Sequence, residues 1–243
     1  MTLHHKYKEI AETLSETPSG LFSSTAMIKK SMEEDECKFF IVYGPLRYGK
    51  TAYACKTLAQ LHGTWDWNIL KQYIVFRPID FIQKIKNIRK LGKQLLLVWD
   101  DAGVWLNAMK WNAPLILAIT RYLDVAGTDF AGIMFTAPFP QHIIKRVRGL
   151  PDCVTVKILK VNNNPRKPRI AKGYRMWMLP DLKKSLVQPV FEDHFSALMP
   201  NKFFAYYQKM RKGYTDEQYL EVERELYGFD ETLKGGSNHA KDN

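Results

Sequence analysis

Short apolar runs alternate with stretches of helical period through the middle of the chain. Phe39-Phe40-Ile41-Val42-Tyr43, Leu95-Leu96-Leu97-Val98-Trp99 and Gly132-Ile133-Met134-Phe135-Thr136 are runs without alternation. Such runs suit strands buried on both faces, as in a parallel sheet. Tyr73 to Phe76 reads as a further short strand. Between them, Ala52 to Ala59 continues as a helix to the stop at His62-Gly63. Phe81, Ile82, Ile85 and Ile88 recur at helical spacing, with Lys84, Lys86, Arg89 and Lys90 on the other positions. Pro114 suits the first turn of a helix over Leu115 to Tyr122, and Gln141 to Arg148 reads as a helix stopped by Gly149. Strands alternating with helices predict an α/β fold with a central, mostly parallel sheet flanked by helices.

Past Pro151 the texture changes. Val154 to Val161 alternates as a strand does, Asn162 to Pro168 is a loop, and Ile170 to Leu179 returns as a second strand. The expected product is a basic β-hairpin added to the sheet. Phe203, Tyr206, Tyr207 and Met210 suit a helix, as does Asp216 to Tyr227. Before the first strand, Tyr7 to Leu14 reads as an amphipathic helix and Met27 to Glu36 as a short one, separated by Thr17-Pro18-Ser19-Gly20. The expected division is therefore a helical lead over 1–36, a core over 37–152, the hairpin over 153–180, C-terminal helices over 181–229 and a disordered tail over 230–243.

The length of 243 residues, 46% of them hydrophobic, suits one α/β domain with an appendage. No stretch approaches eighteen consecutive apolar residues, so no membrane span is expected. The N-terminus lacks the apolar core of a secretory signal. Cys37, Cys55 and Cys153 are few and scattered, which suits free thiols in a reducing compartment and a cytoplasmic location. The formal net charge is +11. Between Lys145 and Lys184 twelve basic residues face only Asp152 and Asp181, an electrostatic footprint for a polyanion.

The chemistry concentrates at Gly44-Pro45-Leu46-Arg47-Tyr48-Gly49-Lys50-Thr51, which spells G-x-x-x-x-G-K-T. It follows a predicted strand, and the helical stretch beginning at Ala52, itself a candidate phosphate contact, follows at once. Backbone N–H groups and the helix dipole then face a phosphate chain. Lys50 is expected to reach the β- and γ-phosphates and Thr51 to place its hydroxyl on Mg²⁺. Asp100 and Asp101 follow the apolar run ending at Trp99, the pattern of a Walker B strand. Asp100 is expected in the Mg²⁺ shell, and Asp101 beside the attacking water. Thr136, at the tip of an apolar strand, is the candidate sensor. Arg148 is the first candidate for an arginine finger, ahead of Arg146 and Arg121. Arg166, Lys167, Arg169, Lys172 and Arg175 surround Tyr174 and Trp177, a mixture suited to phosphate contact and base stacking.

Gly44 to Ala54, the run Trp99-Asp100-Asp101-Ala102-Gly103-Val104-Trp105-Leu106, and Gly132 to Pro140 together resemble the P-loop ATPases of crenarchaeal spindle-shaped viruses and related plasmids, described as DnaA-like or AAA-type. The resemblance runs from about residue 38 to 160. It implies a P-loop NTPase fold and an ATPase serving viral or plasmid DNA, most often in replication. ATP and Mg²⁺ are the implied cofactors, DNA and further copies of the chain the implied partners. The order of the Asp-Asp strand, Arg121-Tyr122, the sensor strand and Ile143-x-x-x-Val147-Arg148 also resembles the FtsK–HerA and Zot packaging and extrusion motors. Glutamine is usual at the FtsK–HerA sensor position, where this chain has Thr136. Two rivals of other classes are a small-molecule kinase, which needs an arginine-bearing lid, and a nucleotide-gated DNA-binding protein with little turnover.

Overall fold

Phe40, Ile41 and Val42 are fully buried in β1 (Lys38–Tyr43), the fourth of seven strands across one sheet. This computed structural model describes residues 20–106, 113–150, 152–161, 168–179 and 184–235. The expected helix over Tyr7 to Leu14 lies outside them. The remaining strands are β2 (Ile74–Val75), β3 (Leu97–Trp99), β4 (Gly132–Ala137), β5 (Val154–Lys160), β6 (Arg169–Leu179) and β7 (Lys184–Phe195). Their spatial order is β2-β3-β4-β1-β5-β6-β7. The strands from β2 to β5 pair in parallel, while β5–β6 and β6–β7 are antiparallel.

The parallel half follows from the uninterrupted apolar runs. Every residue of β4 is buried, and so is every residue of β3. The helices around them are α1 (Ser23–Glu33), α2 (Lys50–His62), α3 (Trp67–Leu70), α4 (Pro78–Ile88), α5 (Pro114–Leu123) and α6 (Lys145–Arg148). Helix α4 shows the amphipathic rule at work: Phe81, Ile85 and Ile88 are buried while Ile82 is exposed. The Phe81 ring stacks on Trp99 at 4.8 Å, and the Trp99 indole donates to the carbonyl of Phe76 at 2.9 Å. One expected helix is broken. Pro140–His142 forms a single 3₁₀ turn, Ile143 and Ile144 run extended and buried, and only Lys145–Arg148 is α-helical. The amide of Ile144 donates instead to the carbonyl of Leu106 at 2.9 Å.

The antiparallel half departs further from expectation. The hairpin acquires a third strand, β7, inside the stretch assigned to C-terminal helices. Pro189 and the acids Glu192 and Asp193 argue against a strand by local composition. An edge position tolerates the proline, and the β6–β7 register shifts between Gly173 and Tyr174. The Phe191 ring lies across Gly173, so that an added Cβ would come within 2.3 Å of it. Asp193, buried, ties this strand to two helices. It accepts from the Ser23 amide at 2.9 Å, the Ser23 hydroxyl at 2.7 Å and the Tyr53 hydroxyl at 2.7 Å. Phe195 packs near Tyr53 and Phe22, with ring centroids 5.3 and 6.1 Å away.

Residues from Asn201 form a second unit, a single helix α7 (Asn201–Gly235). It carries one helix through Asp216 to Tyr227 and on through Asp230, where a disordered tail was expected. Residues 236–243 lie outside the described set.

Candidate nucleotide-binding site

The glycine loop joins β1 to α2, so the first turn of a 13-residue helix opens directly at its end. Gly44 and Gly49 have φ of 149° and 100°, and Arg47 adopts the left-handed region at 62°. These turns wrap the loop back over the helix N-terminus. Close packing also leaves no room for a side chain at Gly44 and little at Gly49. A Cβ on Gly44 would lie 2.9 Å from the carbonyl oxygen of Ile158, and one on Gly49 would lie 3.1 Å from Ala197 Cβ. Pro45, Leu46 and Arg47 point outward and are exposed, Tyr48 is half-buried, and Ala52 is buried in the helix.

Lys50 is buried, and its ammonium donates to the carbonyls of Gly44 at 2.8 Å and Pro45 at 3.0 Å. The side chain therefore curls back along the loop, the place from which an ammonium reaches bound phosphates. Thr51 Oγ1 lies 3.0 and 3.1 Å from the two carboxylate oxygens of Asp100. Asp100 is fully buried at the end of β3. Thr136, buried near the end of β4, donates to Asp100 Oδ1 at 2.6 Å and accepts from the Asp101 amide at 2.8 Å. Asp101 itself takes a left-handed backbone, φ 51°, and starts the 3₁₀ turn Ala102–Val104.

The sheet order explains this convergence. β4 lies between β1 and β3. Its Thr136 pairs in register with Val42 of β1, and Phe135 with Trp99 of β3. The strand ends therefore bring Thr51, Thr136 and Asp100 to one edge. Gly103 lets the turn after Asp101 close on the next segment, since a Cβ there would meet His142 at 3.1 Å and Ala137 at 3.3 Å.

The fold is a mixed, mostly parallel seven-stranded sheet flanked by helices. A glycine loop between strand and helix, with an acid two strands away and a polar strand tip between them, fits a phosphate chain with a hard cation. Thr51 and Asp100 offer oxygen ligands only, the donor type Mg²⁺ takes. Among the described residues no group of three or more His, Cys, Asp or Glu is placed to hold a metal. A cation at Thr51 would thus complete its shell from phosphate oxygens and water, as Mg²⁺ does in nucleotide sites.

No protein-family model matches the chain. The sequence is similar to the uncharacterized protein B-251 of Sulfolobus spindle-shape virus 1, at 23% identity over 212 residues, covering 82% of each chain. Among solved structures, the genome packaging NTPase of Sulfolobus turreted icosahedral virus 2 in complex with ATP-gammaS matches 65% of this chain and 98% of its own, at TM-score 0.35 and 12% identity. A KaiC-like protein of Pyrococcus horikoshii matches 64% of this chain and 90% of its own, at TM-score 0.34 and 14% identity.

Other expected site residues fall elsewhere. Arg148, expected to act on a neighbouring copy, is half-buried and its Nε donates to the carbonyl of Ile143 at 2.8 Å. Arg146 forms an ion pair with Asp124. Arg121 is exposed on α5. Arg166 and Lys167 lie outside the described residues. Lys172 pairs with Glu192 at 2.9 Å, and Arg175 lies 3.8 Å from Asp152. Arg169 requires a correction. Expected among the nucleic-acid contacts of the basic hairpin, it is only 3% exposed and its stem packs beside the glycine loop. Burial lowers its pKa from the ordinary arginine value, with Tyr48 acting in the opposite sense. The placement was hidden because it depends on the antiparallel register of β6, which local sequence does not encode. No helix of the described residues is long and apolar enough to cross a membrane.

Proposed function

We propose that this chain is an Mg²⁺-dependent ATPase acting on DNA as a homo-oligomer, in the replication of a viral or plasmid genome. One observation carries the enzymatic reading: Asp100 is held at once by Thr51 of the phosphate loop and Thr136 of the neighbouring strand. Three separate sequence signals thereby meet within hydrogen-bond distance of one carboxylate.

In this reading Lys50 exchanges its carbonyl partners for the β- and γ-phosphates, and the α2 amides cradle the chain. Thr51 and Asp100 would hold the cation, which would neutralise charge developing on the phosphate oxygens. Asp101, less buried than Asp100, orients the attacking water. Thr136 keeps Asp100 and the Asp101 backbone in register. Hydrolysis by this route is mostly positioning and charge stabilisation. An arginine of a neighbouring copy, Arg148 first and Arg121 as the weaker candidate, would add the remaining positive charge. The net charge of +11 supports the DNA reading, and the similarity to a spindle-shaped-virus protein supports the viral setting.

Phosphate release from ATP, measured with Mg²⁺ and with chelator, tests the proposal. Activity should need the cation and fall at least about a hundredfold in Lys50→Ala, with thermal melting intact. Undiminished release in Lys50→Ala would sink the assignment.

A further inference from the structure

The phosphate loop has two flanks, and only one carries the acids. On the β4–β3 side stand Thr136 and Asp100. On the other side β5, β6 and β7 bring their own ends to the loop. Ile158 of β5 abuts Gly44. Gly49 is walled by Phe195 Cε2, Arg169 Cγ and Ala197 Cβ, which an added Cβ would meet at 3.5, 3.7 and 3.1 Å. Lys160 and Arg169 pair across the β5–β6 ladder at this same end. The Lys160 ammonium lies 4.3 Å from the centre of the Tyr48 ring. The Lys160 ammonium and the Arg169 stem, both from the antiparallel extension, therefore sit against the two residues that precede Lys50.

We propose that Arg169 is a nucleotide-binding residue, a cation supplied by the antiparallel extension to the α- and β-phosphates, with Lys160 beside it. This rests on the nucleotide reading of the loop. The amides of a glycine loop face the α- and β-phosphates, while the lysine reaches on to the γ-phosphate. A side chain whose stem packs at Gly49, with its charge acting on Tyr48, starts from the α/β end. Guanidinium is always charged and its planar fork matches phosphate oxygens. Phe195 and Ala197 keep the flank apolar, where a charge–phosphate contact is weakly screened. The Arg169 stem also packs on Gly49, so stem and charge must be separated experimentally.

Arg169→Met keeps the stem and removes the charge. Titration calorimetry with ATP and with ADP, in the presence of Mg²⁺, should show roughly tenfold weaker binding of both nucleotides. The losses should be equal for the two, because the γ-phosphate is not involved. KM for ATP should rise by the same factor while kcat stays within about twofold, the mark of binding shared by ground and transition states. Arg169→Lys should recover part of the affinity, and the melting temperature without nucleotide should match wild type. Wild-type affinity in Arg169→Met would overturn the inference. So would a loss accompanied by lowered melting, which marks a purely structural arginine, or a loss confined to ATP or to kcat. If wild type itself binds neither nucleotide, the reading of the loop falls instead.

Discussion

Thr136 is one hydroxyl serving two neighbours, donating to Asp100 and accepting from the Asp101 amide. Thr136→Val keeps the shape and strands both partners. We expect a loss of about 1–3 kcal/mol in urea-melt stability, at least a tenfold drop in phosphate release, and recovery with Thr136→Ser. Retained activity in the valine variant would remove the sensor role. Lys56 is another residue whose environment decides its chemistry. It is 3% exposed, its Nζ is 5.7 Å from the Trp65 ring centre, and burial lowers its pKa from 10.5 to about 8. A folded pKa below the unfolded value means that the unfolded chain binds the extra proton between pH 8 and 10.5. Stability from this group therefore rises with pH across that window. Relative to Lys56→Met, wild type should gain on the order of 2 kcal/mol between pH 7.5 and 10 in paired urea melts. A constant difference between the two would contradict it.

Among elements, β7 has the largest structural consequence for the least local signal. Its Asp193 takes the amide and hydroxyl of Ser23 from α1 and the hydroxyl of Tyr53 from α2. Burial and the adjacent carboxylate push the Tyr53 phenol pKa well up, so it stays a donor. One carboxylate thus fastens the edge strand to the helix that begins at the phosphate loop. Asp193→Ala should cost about 2–4 kcal/mol and lower the melting temperature, since it leaves buried donors unpaired. Tyr53→Phe should cost less, about 1 kcal/mol. Equal stability in the alanine variant would show that the strand is held by its ladder alone. Strand β7 escaped notice because Pro189, Glu192 and Asp193 read as loop or helix. Their acceptability is an edge effect: the ladder partner lies on one side only, and the acids answer groups far away in sequence.

For the whole molecule, the excess of basic residues looks different once folded. Arg169 is buried, Lys172 meets Glu192, and Arg146 meets Asp124, so acids from outside the basic segment offset part of it. The net charge of +11 remains. Affinity for duplex DNA, followed by fluorescence anisotropy between 50 and 200 mM salt, should fall steeply, by roughly a hundredfold or more. An unchanged affinity across that range would sink the DNA reading. The central strands, the phosphate loop and the acid after β3 were legible from residues alone. Unbroken apolar runs of five residues are too short for most helices and suit a strand covered on both faces, and G-x-x-x-x-G-K-T encodes its own turn and helix start. Folding decided what lies beside what. Placing β4 between β1 and β3 brought Thr136 to Asp100, and the antiparallel register of β5, β6 and β7 carried Arg169 to Gly49. Strand order and register arise from burial summed over the whole sheet, and no short window of sequence contains that sum.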